Sequence, residues 1–205
     1  MNDDKQTKKI NFLSETLSIL KIFIFALILI IPVKYFLIEP FLVSGASMEP
    51  NFYTANYLII NKLKTKTSEI KRGDVLVFVP PQERDNTLWK YSVYFDPRKK
   101  YIKRVVGLPK ETIKIENNKF YIKKEGEEKF TKLNEPYIKN DGYTNDQELI
   151  LKNDEYFMGG DNRLQSKDSR VFGPIKKSDI MGEPIIRFLP FNKMGFYPEK
   201  YNHNN

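Results

Sequence analysis

Hydrophobic and polar positions divide the chain near residue 38. Residues 1–16 are mostly polar and carry Lys5, Lys8 and Lys9. Residues 17–38 read LSILKIFIFALILIIPVKYFLI, with Lys21 and Lys34 as the only charges. The uncharged run from Ile22 to Val33 has 12 residues, too few on their own to cross a bilayer. Both lysines lie near the ends of the stretch, however, where long aliphatic stems let the ammonium groups reach the headgroups. Read as one helix, 17–38 measures ~33 Å, which is enough to span. Pro32 is expected to bend this helix without abolishing it.

The flanking charges orient the segment. Lys5, Lys8, Lys9 and Lys21 precede or open it, and after Lys34 no Lys or Arg occurs until Lys62. Positive charge stays inside, so 1–16 reads as a cytoplasmic tail, 17–38 as a transmembrane signal anchor in the lipid bilayer, and 39–205 as an extracytoplasmic domain. Two other readings fit the same residues. One is a buried core helix. The other is a leader cleaved after Ala46, where Ser44-Gly45-Ala46 supplies small residues.

Beyond residue 38 the pattern changes from a long apolar run to short β-rich segments: 57–61, 75–79, 101–106, 112–115, 119–123, 155–158 and 184–188. Turn signals separate them, at Arg72-Gly73-Asp74, Gly107-Leu108-Pro109, Asn117-Asn118, Asp141-Gly142 and Gly159-Gly160-Asp161. The fold class is therefore mainly β, with one N-terminal helix before an antiparallel domain built as a folded sheet or irregular barrel. Residues 80–100 and 123–150 are polar and irregular and read as surface excursions.

Composition narrows the chemistry. The chain has 205 residues, no Cys, and one His, His203, in a polar tail. No disulfide framework, thiol nucleophile or Cys-based zinc site is open to it. A single tail histidine argues against Ser-His-Asp chemistry and against most His-based metal sites. An enzyme of this composition needs Lys, Asp, Glu or Tyr as its base. Lys plus Arg is 34 against 26 Asp plus Glu, a net charge of +8. The basic residues are dispersed among acids and no binding motif accompanies them, so no nucleic-acid partner is expected.

Three segments carry candidate chemistry. The first, 43–50, VSGASMEP, sets a serine among small residues that let a substrate backbone approach; equally, it reads as a flexible linker. In the second, 101–109, YIKRVVGLP, strand alternation puts Tyr101, Lys103 and Val105 on one face and Ile102, Arg104 and Val106 on the other. A lysine buried in such a strand loses pKa and becomes a usable base, whereas an edge-strand lysine would point at water. The third, 159–173, GGDNRLQSKDSRVFG, gathers Asp, Arg and Ser between glycines, as a braced loop or as a solvated turn. Asp161 and Asp168 have no further ligand set beside them, so neither a metal nor another cofactor is expected.

Together these segments resemble the type I signal peptidase family. Ser-Met-x-Pro at 47–50 follows the apolar helix. Arg-Gly-Asp-Val at 72–75, Tyr-Ile-Lys-Arg-Val-Val-Gly-Leu-Pro at 101–109 and Gly-Asp-Asn-Arg…Ser-x-Asp-Ser-Arg…Gly at 160–173 come after it in the family's order. The likeness covers about residues 17–190. It implies a plasma-membrane serine endopeptidase with a Ser-Lys dyad. Ser47 matches the nucleophile, Lys103 the general base, and Ser166 a hydroxyl that orients the lysine. Met48 and Pro50 match the nucleophile motif. Asp161, Arg104, Asp168 and Arg170 match charged positions that brace the site. The implied substrates are exported preproteins, cut after an Ala-x-Ala type site close to the secretion translocon. Phe41, Val43, Phe52 and Ile102 are candidate pocket walls, with the substrate adding a strand near 41–45 and 101–103. The chain departs from the pattern twice. Gly45 stands where a Ser or Thr often lies two residues before the nucleophile, and Leu164-Gln165 replaces a more usual Asp-Asn pair. Three rivals remain: a Ser-Lys peptidase dedicated to pilin or conjugation substrates, a non-enzymatic anchored β scaffold, and a nucleic-acid-binding module.

Overall fold

The computed structural model describes residues 3–84, 98–142 and 144–197. His203 and most of the expected excursion at 80–100 lie outside them. The chain divides into two units, Met1–Ile38 and Glu39–Asn205.

In the first unit, helix α1 runs Asp3–Pro32 and is followed by a π-helical turn, Val33–Leu37. The helix thus begins well before residue 17, because backbone hydrogen bonding needs no apolar side chain. Proline lacks an N–H and crowds the preceding turn, so the regular ladder ends at Pro32 and continues in the wider π register. The window Glu15–Pro32 has a mean hydropathy of 2.2, and none of it is buried within the protein. That exposure removes the buried-core-helix reading, since Ile22, Phe23 and Phe25 find no protein core around them.

The second unit is antiparallel β. Its strands are β1 (Ile38–Leu42), β2 (Tyr57–Asn61), β3 (Val75–Phe78), β4 (Tyr101–Gly107), β5 (Thr112–Glu116) and β6 (Lys119–Lys123). They continue with β7 (Thr131–Lys132), β8 (Gln147–Ile150), β9 (Glu155–Gly159), β10 (Ile175–Lys176), β11 (Ile180–Leu189) and β12 (Gly195–Phe196). One sheet has the order β1-β2-β11-β3-β4-β9-β10, with β12 on β11; a second has the order β7-β6-β5-β8. The expected strands all form.

Three differences have physical causes. The 123–150 region contains β7 and β8, so it is not wholly irregular. Their polar side chains hid them, and pairing with β6 and β5 makes them strands. Strand β1 lies in the run read as the end of the membrane helix and the loop after it. Strand β11 begins four residues earlier than its apolar run. Its first part pairs with β3 and the rest with β2, and a register shift follows Pro184, which cannot donate to a ladder. Gly182 sits where β11 crosses β2, and a Cβ there would meet the Asn61 carbonyl oxygen at 2.3 Å. Such irregularities tighten the local twist and curl the sheet. Between β5 and β6, Asn117 and Asn118 both adopt positive φ, as a two-residue type I′ hairpin requires.

Strand β4 is the hub. It contributes Ile102, Val105 and Val106 to three separate apolar clusters. It lies between β3 and β9, and the Lys103 side chain is buried, so the reading of a lysine pointing at water does not hold. β9 pairs only with the Arg104–Gly107 part of β4. Among the described residues, Tyr101–Lys103 therefore keep one side of their backbone free of a partner strand, and β1 keeps its outer edge free.

Candidate active site

Ser47 sits in a tight turn after β1. Glu49 N–H donates to the Ala46 carbonyl at 3.2 Å, and the Asn51 and Phe52 N–H groups donate to the Met48 carbonyl at 3.0 and 2.8 Å. Met48 and Phe52 anchor this turn, with no solvent exposure, in a cluster that also holds Val43, Ile102 and Tyr197. Arg187 reaches across from β11, donating from Nη2 to the Asn51 carbonyl at 2.6 Å, with its guanidinium 5.4 and 5.5 Å from the Phe52 and Tyr197 rings.

Lys103 comes from β4, opposite Leu76 on β3. Its Nζ lies 2.7 Å from Ser47 Oγ, 2.8 Å from the Ile102 carbonyl and 5.4 Å from the Tyr101 ring centroid. The residue is 4% exposed. Desolvation pulls its pKa down from 10.5 to about 8, against the opposing pull of Asp168 and Asp161. The two carboxylates hold back a larger drop, and desolvation still leaves about a tenth of the amine neutral at pH 7.

Those carboxylates are themselves paired. Asp161 accepts from Arg104 Nε at 2.8 Å and Nη2 at 2.7 Å, a bidentate pair almost wholly buried. Arg104 also donates to the Gly73 carbonyl at 2.8 Å, and its guanidinium lies 4.2 Å from the Tyr137 ring. Asp168 accepts from Arg170 Nε and Nη2, each at 2.8 Å, and from Gly160 N–H at 2.9 Å. It also caps the short helix α2 (Ser169–Phe172), accepting from Arg170 N–H at 3.2 Å. Burial pushes the Asp168 carboxyl up, but the Arg170 pair and the Gly160 N–H outweigh it and hold it below the ordinary range. The two pairs fix the loop after β9 at its start and at its end.

Ser166 is placed differently from its expected role. Its Oγ is buried near the Asp168 carboxylate, close enough to help hold that pKa down. Yet it is outside hydrogen-bond geometry to every described group, Lys103 included. The lysine is instead held by Ser47 and by the Ile102 carbonyl. What brings Ser166 into the site is close packing: a Cβ on Gly160 would meet Ser166 Oγ at 2.2 Å and the Ser47 carbonyl oxygen at 2.6 Å.

Gly45 has φ +94° and donates from its N–H to Thr54 Oγ1 at 3.1 Å. That backbone conformation suits glycine and strains any residue with a side chain, so the position offers no hydroxyl. Of the expected pocket walls, Phe41 keeps partial exposure, while Val43 (2%), Phe52 (0%) and Ile102 (4%) are core residues. Phe52, fully buried, has no surface to offer a substrate, which departs from its expected place in a pocket wall.

Several neighbours of the site carry no signal that reading single residues could use. Asn162 donates from its backbone N–H to the Ser47 carbonyl at 3.0 Å and from Nδ2 to the Ala46 carbonyl at 3.1 Å. Asn51 donates to the Asp161 carboxylate at 2.7 Å. Arg163 is buried in an ion pair with Glu135 and stacks on Phe120 at 4.4 Å. Asn162 and Arg163 lie inside the Gly-Asp-Asn-Arg run, which was the available pointer. Nothing in the polar stretch around Glu135 marked it.

The arrangement supplies a hydroxyl, a buried amine at hydrogen-bond distance, and a braced loop, without histidine. The family model for signal peptidase, peptidase S26, matches residues 16–189. Signal peptidase I P of Bacillus subtilis subsp. natto is 32% identical over 205 residues, spanning 95% of this chain and 98% of that protein. Signal peptidase I T of Bacillus subtilis strain 168 is 31% identical over 185 residues, spanning 85% and 86%. A crystal structure of a signal peptidase I from Enterococcus faecalis V583 shares 27% identity, covering 57% of this chain and 97% of that one, with a TM-score of 0.42. With the family match running from the apolar helix to the end of β11, this chain belongs to the signal peptidase family, peptidase S26, and is a serine peptidase.

Proposed function

We propose that the protein is a membrane-anchored endopeptidase that removes N-terminal signal peptides from exported preproteins, with Ser47 as nucleophile and Lys103 as general base. The observation that carries this reading is the 2.7 Å approach of Lys103 Nζ to Ser47 Oγ at a lysine held near pKa 8 by burial. Neutral Lys103 takes the Ser47 proton as Oγ attacks the scissile carbonyl carbon. The Ser47 N–H donates to the resulting oxyanion. As the C–N bond breaks, the Lys103 ammonium returns its proton to the leaving amine, leaving an acyl-enzyme. Lys103 then accepts a proton from water as its oxygen attacks the ester, and returns that proton to Ser47 Oγ as the ester C–O bond breaks, releasing the acid and restoring both groups.

In this reading α1 crosses the plasma membrane with its N-terminus in the cytoplasm, and residues 39–205 work outside, near the secretion translocon. The apolar, exposed window Glu15–Pro32 supports the span, and the lysines before residue 22 support the orientation. The substrate lies extended along the unpaired side of Tyr101–Lys103 and the free edge of β1. Phe41, with Val43 and Ile102 beside it, lines a shallow space suited to the small residues of an Ala-x-Ala site.

The test is cleavage of an Ala-x-Ala preprotein in detergent by the wild type, Ser47→Ala and Lys103→Met. Cleavage by the wild type alone is expected, with loss when large residues replace either alanine. Near-normal cleavage by Lys103→Met would overturn the dyad. Selective alkaline extraction of the full chain from membranes, like a peripheral protein, would overturn the span.

A further inference from the structure

We infer that Asn162 is a positioning residue for the oxyanion, aiming the Ser47 N–H by holding the carbonyl at the other end of the same peptide group. This rests on Ser47 being the nucleophile. The Ala46 carbonyl and the Ser47 N–H belong to one planar unit and point in opposite directions. Asn162 Nδ2 donates to the Ala46 oxygen at 3.1 Å and the Glu49 N–H does so at 3.2 Å, and the two donors together fix the plane and so the direction of the N–H. The Ser47 N–H itself makes no hydrogen bond with any described residue.

The amide of Asn162 is in turn held in one sense. Its Oδ1 accepts from Asn140 Nδ2 at 2.9 Å, and Asn140 Oδ1 accepts from the Leu164 backbone N–H at 2.9 Å. A backbone N–H can only donate, so it sets which end of Asn140 is oxygen, and Asn140 then sets which end of Asn162 is nitrogen. The result is a relay of dipoles running Leu164 N–H, Asn140, Asn162, the Ala46–Ser47 peptide. Each bond polarises the next, which makes the terminal N–H a stronger donor.

The relay matters more in this chain because Gly45 supplies no hydroxyl to share the oxyanion. Asn162 is 2% exposed, so its hydrogen bonds compete little with water. Its backbone N–H separately tethers the Ser47 carbonyl at 3.0 Å. A side-chain substitution therefore leaves the turn attached, and the Glu49 N–H on the Ala46 oxygen, while removing the second donor that aims the plane.

The test uses the full chain in detergent with Asn162→Asp, which keeps the acceptor facing Asn140 and removes the donor to Ala46. Three readouts are taken: preprotein cleavage, affinity for a peptide aldehyde with an Ala-x-Ala sequence, and affinity for the same peptide with a methylene in place of the scissile carbonyl. The aldehyde adds to Ser47 Oγ and places an anionic oxygen where the transition state does; the methylene peptide has no such oxygen. Losing an oxyanion donor costs about 100- to 1,000-fold in kcat, and misaiming one is expected to cost about 10- to 100-fold. We expect that loss in kcat and in aldehyde affinity, with KM and methylene-peptide affinity within about twofold, and with the acid limb of the pH profile still set by Lys103. If both ligands weaken together, the role is structural and the inference falls. If neither weakens while Ser47→Ala is inactive, the inference falls and the dyad stands. If Ser47→Ala itself cleaves normally, the dyad reading falls first. Asn140→Asp, one step back in the relay, provides the second variant should Asn162→Asp fail to fold. It must produce the same selective loss at smaller size, and wild-type aldehyde selectivity there would overturn the relay.

Discussion

Lys103 Nζ lies 2.7 Å from Ser47 Oγ, although the two residues are 56 positions apart and come from different elements. Ser47 is set by a turn pinned through Met48 and Phe52, and Lys103 by the strand at the centre of the sheet. Neither has freedom to drift, so the pair is preorganised before any substrate arrives.

The pH dependence of cleavage follows from that lysine. A lysine acting as the proposed base must be neutral, and burial puts the Lys103 pKa at about 8. The kcat/KM for an Ala-x-Ala peptide is expected to rise with pH, about tenfold per unit on the acid side, and to level off above about 8. A profile flat between pH 6 and 9 would remove Lys103 from the role of base.

The same burial has a cost in stability. The folded pKa is below the ordinary lysine value, so the unfolded chain binds the proton more tightly. The penalty is fully present below about pH 8 and fades as pH rises through 10.5. A shift of this size corresponds to about 3 kcal/mol. Lys103→Met should therefore be inactive yet more stable at pH 7 by up to that amount, and its advantage should shrink at pH 10. Thermal unfolding in detergent at the two pH values measures it; a Lys103→Met chain less stable at pH 7 than at pH 10, relative to wild type, contradicts the sign.

Breaking the Arg104–Asp161 pair takes the bidentate carboxylate away from a buried guanidinium. Asp161→Ala is expected to destabilise by about 3–5 kcal/mol. It also frees Asn51 from its 2.7 Å bond and loosens the nucleophile turn. Adding Arg104→Met should recover part of the stability but not the activity. Equal destabilisation by the single and double variants, followed by denaturant unfolding, would show that the buried charge is not the cause.

Gly160 is required for space. A methyl group there would sit 2.6 Å from the Ser47 carbonyl oxygen and 2.2 Å from Ser166 Oγ. Gly160→Ala must push the nucleophile turn away from Lys103, and a displacement near 1 Å is worth about 100-fold in rate. Relieving the softer contact with Ser166→Gly should leave most of that loss in place, because the backbone oxygen remains. Full recovery in the double variant would assign the clash to Ser166 alone.

Much of the molecule is local in origin and was readable as such. The apolar run 17–38, the β-rich segments and the Asn117-Asn118 turn follow from side-chain periodicity and backbone preference within a few residues. The absence of cysteine and the single tail histidine narrowed the candidate bases to a few residue types before any geometry was known. The short strands β7 and β8 were not readable, because their polar residues become strands only through partners elsewhere in the chain.

By itself, then, the sequence determined the helix and the β class, which rest on composition and spacing, while Ser47 and Lys103 stood out as candidate nucleophile and base through the order of motifs that resembles a known family. Tertiary structure alone decided the 2.7 Å approach of Ser47 to Lys103, the lysine's lowered pKa, the lack of a Ser166 hydrogen bond to that lysine, and the hold of Asn162 on the Ala46 carbonyl. These depend on distances and burial between segments remote in the chain, and such quantities exist only once the sheet has paired and curled around the site.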